Sequence, residues 1–138
     1  MRKEKSRKLL QWVLWLIAIH SIGFGLALIT LPVGIIELFG FHLYEKFFAV
    51  QGGVFHLIIS AAYIMAARKP GCSAQLIFLS CFTKFSATIF LLSYYTFEKQ
   101  IFMVLVAGII DFLMGLAILF SYRLYRKYNK GETERVIK

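Results

Sequence analysis

The chain has 138 residues, of which 59% are hydrophobic, and a formal net charge of +9. Its mean hydropathy of +0.72 excludes an ordinary soluble globular protein and indicates a membrane protein. A basic chain could bind nucleic acid, but here the basic residues flank apolar runs, so they predict contact with lipid headgroups and no nucleic-acid partner.

Four apolar runs are long enough to cross a bilayer. At about 1.5 Å rise per residue, each run reaches about 30 Å, the thickness of the hydrocarbon core. The predicted spans are 9–31, 47–67, 74–95 and 101–121. The predicted fold class is therefore all-α, a single integral membrane domain forming a four-transmembrane-helix bundle with antiparallel neighbours.

The first span has one ionisable group, His20, near its centre. Trp12 and Trp15 stand near its start, where aromatic residues favour the membrane interface. Pro32 ends the span, and the segment 33–44 is predicted to lie along the membrane interface, because apolar residues recur in it at nearly helical spacing. Gly40 is expected to end that segment, since glycine adopts positive φ without strain.

The second span has a one-sided stripe of small and polar residues. On a helix, such a stripe predicts a face turned toward the other helices of the bundle. The stripe consists of Gly52, Gly53, His56, Ser60 and Tyr63. No Walker or GxGxxG pattern surrounds the two glycines, so the sequence indicates close helix packing there and no nucleotide site.

The third and fourth spans each have one charged residue near the centre, Lys84 and Asp111. A charge at this depth costs about 2.5 to 3.5 kcal/mol on insertion scales, so each needs a partner or a polar cavity. Glycines at 108 and 115 flank the aspartate and would let a neighbouring helix approach closely. We therefore predict a Lys84–Asp111 ion pair, with hydrogen bonds from groups such as Ser80 or Thr88.

The distribution of charge predicts the orientation of the bundle. Thirteen basic residues lie before the first span, between the second and third, or in the tail 122–138, whereas the opposite side has only Lys46 and Lys99. By the positive-inside rule both termini and the basic tail are cytoplasmic. We expect a multi-pass protein of a plasma membrane, of the bacterial inner-membrane kind.

The candidate site consists of the ionisable residues at the centres of the spans. The principal candidates for a ligand or proton site are Asp111, Lys84, His56 and His20, and the secondary polar lining is Ser60, Tyr63, Ser80 and Thr88. No catalytic residue, cofactor or metal site is assigned. Cys72 and Cys81 have neither redox nor zinc spacing, and Cys81 is interpreted as a small packing residue.

Three functions remain open at this point. In the first, the polar cluster binds a small ligand or relays a proton, with Asp111 as acceptor and Lys84 as its electrostatic partner. In the second, the cluster fixes helix register in a homo-oligomer or in an accessory subunit of a membrane complex. In the third, His20 and His56 are axial ligands of a haem, or the protein has a quinone-linked redox role.

The chain resembles the DoxX-like group of small four-helix bacterial membrane proteins. The resemblance covers roughly residues 9–121 and rests on these positions, in chain order: Pro32 and the glycines before it, Phe39 and Gly40, Gly52 and Gly53, the AARKP sequence at 66–70, Lys84, and Asp111. It implies a four-helix membrane fold and an association with respiratory or oxidative-stress physiology. The chain has no catalytic motif of a thiosulfate or quinone oxidoreductase, so the resemblance implies no such activity here.

Overall fold

The computed structural model of the chain describes residues 2–43, 45–70 and 73–136, with side chains described as far as residue 129. Tyr44 of the predicted interfacial segment, Cys72 and the last two residues of the predicted tail lie outside the described residues. The described residues form five helices: α1 Arg2–Thr30, α2 Val33–Glu37, α3 Phe47–Arg68, α4 Ala74–Phe97 and α5 Phe102–Val136.

Four of these helices are long and apolar enough to cross a membrane, with mean hydropathies between 1.7 and 2.5 in their most apolar windows. The predicted all-α bundle of four long helices is therefore confirmed. Two of the helices extend well beyond the apolar runs. α1 begins at Arg2, where Lys8 and Glu4 form an exposed ion pair of 2.9 Å one helical turn apart. α5 continues through the basic tail to Val136.

The long helices form a ring in the order α1, α3, α4, α5. α1 packs most extensively on α3, and α4 packs on α5, while α1 also contacts α5 and α3 makes a smaller contact with α4. Each neighbour in this ring runs in the opposite direction, as predicted. The bundle is thus two tightly packed helical hairpins that meet along α1 and α5.

The apolar core lies toward one end of the bundle. We call it the basic end because segments 2–8, 68–69 and 123–127 there carry ten exposed lysine and arginine residues. The core contains Leu10, Leu14, Ile17, Tyr63, Ile77 and Ile118 together with small and aromatic residues from the same turns. At the opposite end, the hairpins pack through glycines: Gly25 meets Gly53, and Gly108 meets Leu92. The centre of the apolar stretch thus lies between the apolar core at the basic end and the glycine contacts at the opposite end.

The short helix α2 covers part of the opposite end. Pro32 precedes its first turn, and Ile36 is its buried residue. Gly40 follows with a φ of +92°, as the sequence predicts, and donates its N–H to the Glu37 carbonyl at 2.9 Å. A Cβ atom added at Gly40 would lie 3.2 Å from Ile101, so this turn rests on the residue before α5.

Candidate functional site

Lys84 of α4 and Asp111 of α5 form an ion pair inside the bundle, as predicted. Lys84 Nζ donates a hydrogen bond to Asp111 Oδ1 at 2.5 Å. Lys84 stands ten residues into α4, about 15 Å along the helix axis, so its ammonium cannot reach an aqueous boundary easily. The ion pair therefore satisfies both charges within the apolar stretch.

Glycines on α5 bring the two helices close enough for this pair to form. A Cβ atom built at Gly108 would lie 3.0 Å from Leu92 Cδ2, and one built at Gly115 would lie 3.1 Å from Phe85 Cε1. Both distances are shorter than ordinary contacts, so α4 occupies the space that side chains at these positions would need. The predicted role of the glycines in helix approach is confirmed.

The two side chains of the ion pair differ in how much of their surface is exposed. The Lys84 side chain is 3% exposed, whereas the Asp111 side chain is 12% exposed. Among the described residues, Lys84 is the one side chain that donates a hydrogen bond to this carboxylate. A carboxylate has lone pairs for about four hydrogen bonds, so Asp111 has acceptor capacity left for a proton, a water molecule or a ligand.

Tyr63 of α3 is a second contact of the Lys84 ammonium group, besides Asp111. Its side chain is fully buried, and Lys84 Nζ lies 5.9 Å from the centroid of its ring. A cation at this distance is attracted by the negative face of the aromatic ring, and the attraction is greater where water is excluded. The ammonium group of Lys84 thus connects α3, α4 and α5.

His56 of α3 is half-buried and accepts a hydrogen bond from Ser21 of α1, a residue that was not among the predicted site residues. Ser21 of α1 is 1% exposed, and its hydroxyl donates to the His56 carbonyl at 3.0 Å and lies 3.2 Å from His56 Nδ1. Ser21 belongs to the buried positions of α1, which recur every three or four residues from Leu10 to Gly25. That helical periodicity is the signal that could have identified it.

His20 of α1 is exposed and lies outside the packed interior. Its ring stacks on Phe24 with centroids 6.3 Å apart, and Phe24 meets His56 edge-on at 4.9 Å. Of the four principal candidates, a hydrogen bond joins Lys84 and Asp111, and Phe24 connects the two imidazole rings.

Three of the predicted secondary residues are buried but do not bond to the charged groups of the ion pair. Their hydroxyls donate to carbonyl oxygens of their own helices: Ser60 to Leu57 at 2.6 Å, Ser80 to Leu76 at 2.7 Å, and Thr88 to Lys84 at 2.9 Å. Serine and threonine in a helix commonly bond back to the preceding turn. The expected hydrogen bonds from Ser80 or Thr88 to the charged groups are therefore not formed.

The arrangement of the imidazoles does not favour the haem interpretation. Two histidines that ligate one iron need their ring nitrogens turned toward a common centre, whereas here Phe24 contacts both rings and Ser21 lies beside Nδ1 of His56. No group of three or more histidine, cysteine or acidic residues converges as a metal site among the described residues. The chemistry that the site can perform with its own groups is proton exchange and hydrogen bonding.

Comparison with protein-family models, curated proteins and solved structures gives no match to this chain. The resemblance to the DoxX-like group therefore stays a prediction from the residues quoted above. The geometry of the Lys84–Asp111 pair and its neighbours is the basis for a functional proposal.

Proposed function

We propose that the protein is a small polytopic membrane protein in which Asp111 takes up and releases a proton within the bilayer. Lys84 is its electrostatic partner, and His56 and His20 are further titratable groups that tune the site. The observation that supports this function is the ion pair itself, in which the carboxylate is the more accessible member. Ionisable residues inside membrane spans are commonly parts of ion or proton pathways.

A structural role alone is a weak reason for a chain to retain such a pair. Removing two charges from water costs several kcal/mol per ion, and the attraction between them often does no more than offset that cost. Apolar side chains of similar size would pack α4 against α5 at least as well. Protonation of Asp111 would weaken its attraction for Lys84, while the Tyr63 ring would still bind the ammonium group.

The packing of the bundle favours access from one direction. Between the ion pair and the basic end lies the apolar core with Leu14, Tyr63 and Ile118, each less than 2% exposed. The opposite half is packed through glycines and includes the half-buried His56. We expect protons to reach Asp111 from the opposite end, because the half-buried His56 lies in that half and the apolar core closes the other.

Infrared spectroscopy during a pH titration of the reconstituted protein tests this proposal. The protein is expected to show the C=O stretching band of a protonated carboxylic acid that grows as the pH falls and is absent from Asp111→Asn. Glu98→Gln is the control, because Glu98 is an exposed carboxylate at the end of α4 and its loss should leave that band in place. A spectrum unchanged by Asp111→Asn at every pH would overturn the proposal.

A second candidate function is supported by the position of the pair within one hairpin. Lys84 and Asp111 lie on α4 and α5, which already pack closely, and the nearby hydroxyls bond to their own helices. This arrangement also suits a pair that only fixes helix register, in a homo-oligomer or an accessory subunit of a membrane complex. On that account, the carboxylic-acid band is the same in the parent protein and in Asp111→Asn.

We further propose that the protein resides in a plasma membrane of the bacterial inner-membrane type, with both termini cytoplasmic. The support is the distribution of charge: segments 2–8, 68–69 and 123–127 of the basic end carry ten exposed lysine and arginine residues. Glu4 is the single acidic residue within these segments. Such an excess of basic residues favours the cytoplasmic side of a membrane.

A further inference from the structure

The end of the bundle opposite the basic end has a cleft that is separate from the ion pair. It has a volume of about 490 Å³ and is lined by two segments, Leu38–Gly40 after α2 and Lys99–Met103 at the connection from α4 to α5. The cleft is open to the surroundings of the protein. It belongs to no part of the proton site described above.

The floor of the cleft is well defined by packing. Gly40 has a positive φ, and its backbone lies against Ile101, which is 8% exposed. A side chain at position 40 would be strained by the backbone conformation and would also crowd Ile101. The two segments that form the cleft are therefore held in contact at its base.

The lining combines one positive charge with apolar walls. Lys99 is the charged residue among the lining residues, beside the amide of Gln100. Phe39, Phe102 and Met103 supply apolar surface, and Phe102 is 70% exposed. The backbone N–H groups of Phe102 and Met103 donate to no backbone carbonyl, because they belong to the first turn of α5. These features match a molecule with an anionic head and an apolar tail.

We propose that this cleft binds an anionic phospholipid, with the phosphate at Lys99 and an acyl chain along Phe39 and Phe102. The open shape supports this occupant, since the surrounding bilayer would cover the side of the ligand that the protein leaves exposed. Leu38 at the rim is 83% exposed, as expected for a side chain that inserts between lipids. A soluble anion has no apolar group that could bind to the apolar walls of the cleft.

Native mass spectrometry of the detergent-solubilised protein tests the proposal. The probes are phosphatidylglycerol, phosphatidylcholine with the same acyl chains, and glycerol 3-phosphate. We expect Lys99→Gln to weaken phosphatidylglycerol binding about fivefold, equivalent to about 1 kcal/mol for one basic residue near an anionic lipid. Lys46→Gln is the matched control, because Lys46 is the other cation at this end and does not line the cleft.

Each other outcome would overturn the assignment. Equal losses of phosphatidylglycerol affinity in Lys99→Gln and Lys46→Gln would mean that the net positive charge of this end, and not the cleft, attracts the lipid. Equal binding of phosphatidylglycerol and phosphatidylcholine would mean that the headgroup is not recognised. Binding of glycerol 3-phosphate as tight as that of phosphatidylglycerol would identify a soluble-phosphate site in place of a lipid site.

Discussion

Gly25 of α1 and Gly53 of α3 meet backbone to backbone. A Cβ atom built on Gly53 would lie 2.6 Å from the Gly25 carbonyl oxygen, and one built on Gly25 would lie 2.8 Å from the Gly53 carbonyl oxygen. Side chains do not occupy such distances, so only glycine permits this helix crossing. The contact fixes the hairpin that holds Ser21 against His56.

We predict that Gly25→Val destabilises the protein by about 2 kcal/mol, because overpacking a close contact forces helices apart. Gly23→Val on the same helix is the control, since a Cβ there would meet nothing within 4 Å. Both changes replace glycine with valine in the same helix, so the change in helix propensity is the same. The difference between the two losses of unfolding free energy therefore measures the cost of crowding at Gly25. The free energy of unfolding in mixed micelles measures it, and equal losses in both variants would refute the role of the contact.

Loss of the Ser21 hydroxyl should alter His56 specifically. We expect Ser21→Ala to lower the free energy of unfolding by about 1 kcal/mol, because a buried hydrogen bond is lost. It should also shift the nitrogen NMR signals of the His56 ring, since the hydroxyl lies 3.2 Å from Nδ1. Ser60→Ala is the control, as its hydroxyl bonds within α3. Identical His56 signals in all three proteins would contradict the assignment.

The proposed orientation can be tested with single cysteines in a variant without Cys72 and Cys81. A membrane-impermeant thiol reagent added to intact cells should label Lys99→Cys and leave Lys5→Cys unlabelled, because the positive-inside rule places residue 5 in the cytoplasm. Both positions are exposed in the structure, so burial does not explain a difference. The reverse labelling pattern would show that the orientation is inverted.

The sequence was sufficient to predict the four long helices and the ion pair. Lys84 and Asp111 had no route to water, and the glycines around the aspartate indicated where a neighbouring helix would pack. The surroundings of His20 and His56 were less predictable, because the rotation of α1 depends on which helices flank it. Ser21 was missed since a single serine in an apolar helix looks ordinary. The hydroxyls of Ser80 and Thr88 donate to carbonyl oxygens one turn earlier in α4, and these hydrogen bonds compete with bonds to the charged groups of the ion pair.

Lys84 and Asp111 stabilise each other across α4 and α5. A double-mutant cycle on the free energy of unfolding tests this stabilisation, with Lys84→Met, Asp111→Leu and the double variant. Each single change should cost about 3 kcal/mol, because it leaves one buried charge without its partner. The double variant should recover most of that loss. Lys84→Met combined with Glu98→Leu is the control, since Glu98 is exposed and should contribute additively. Losses that simply add in the Lys84 and Asp111 cycle would contradict the paired site.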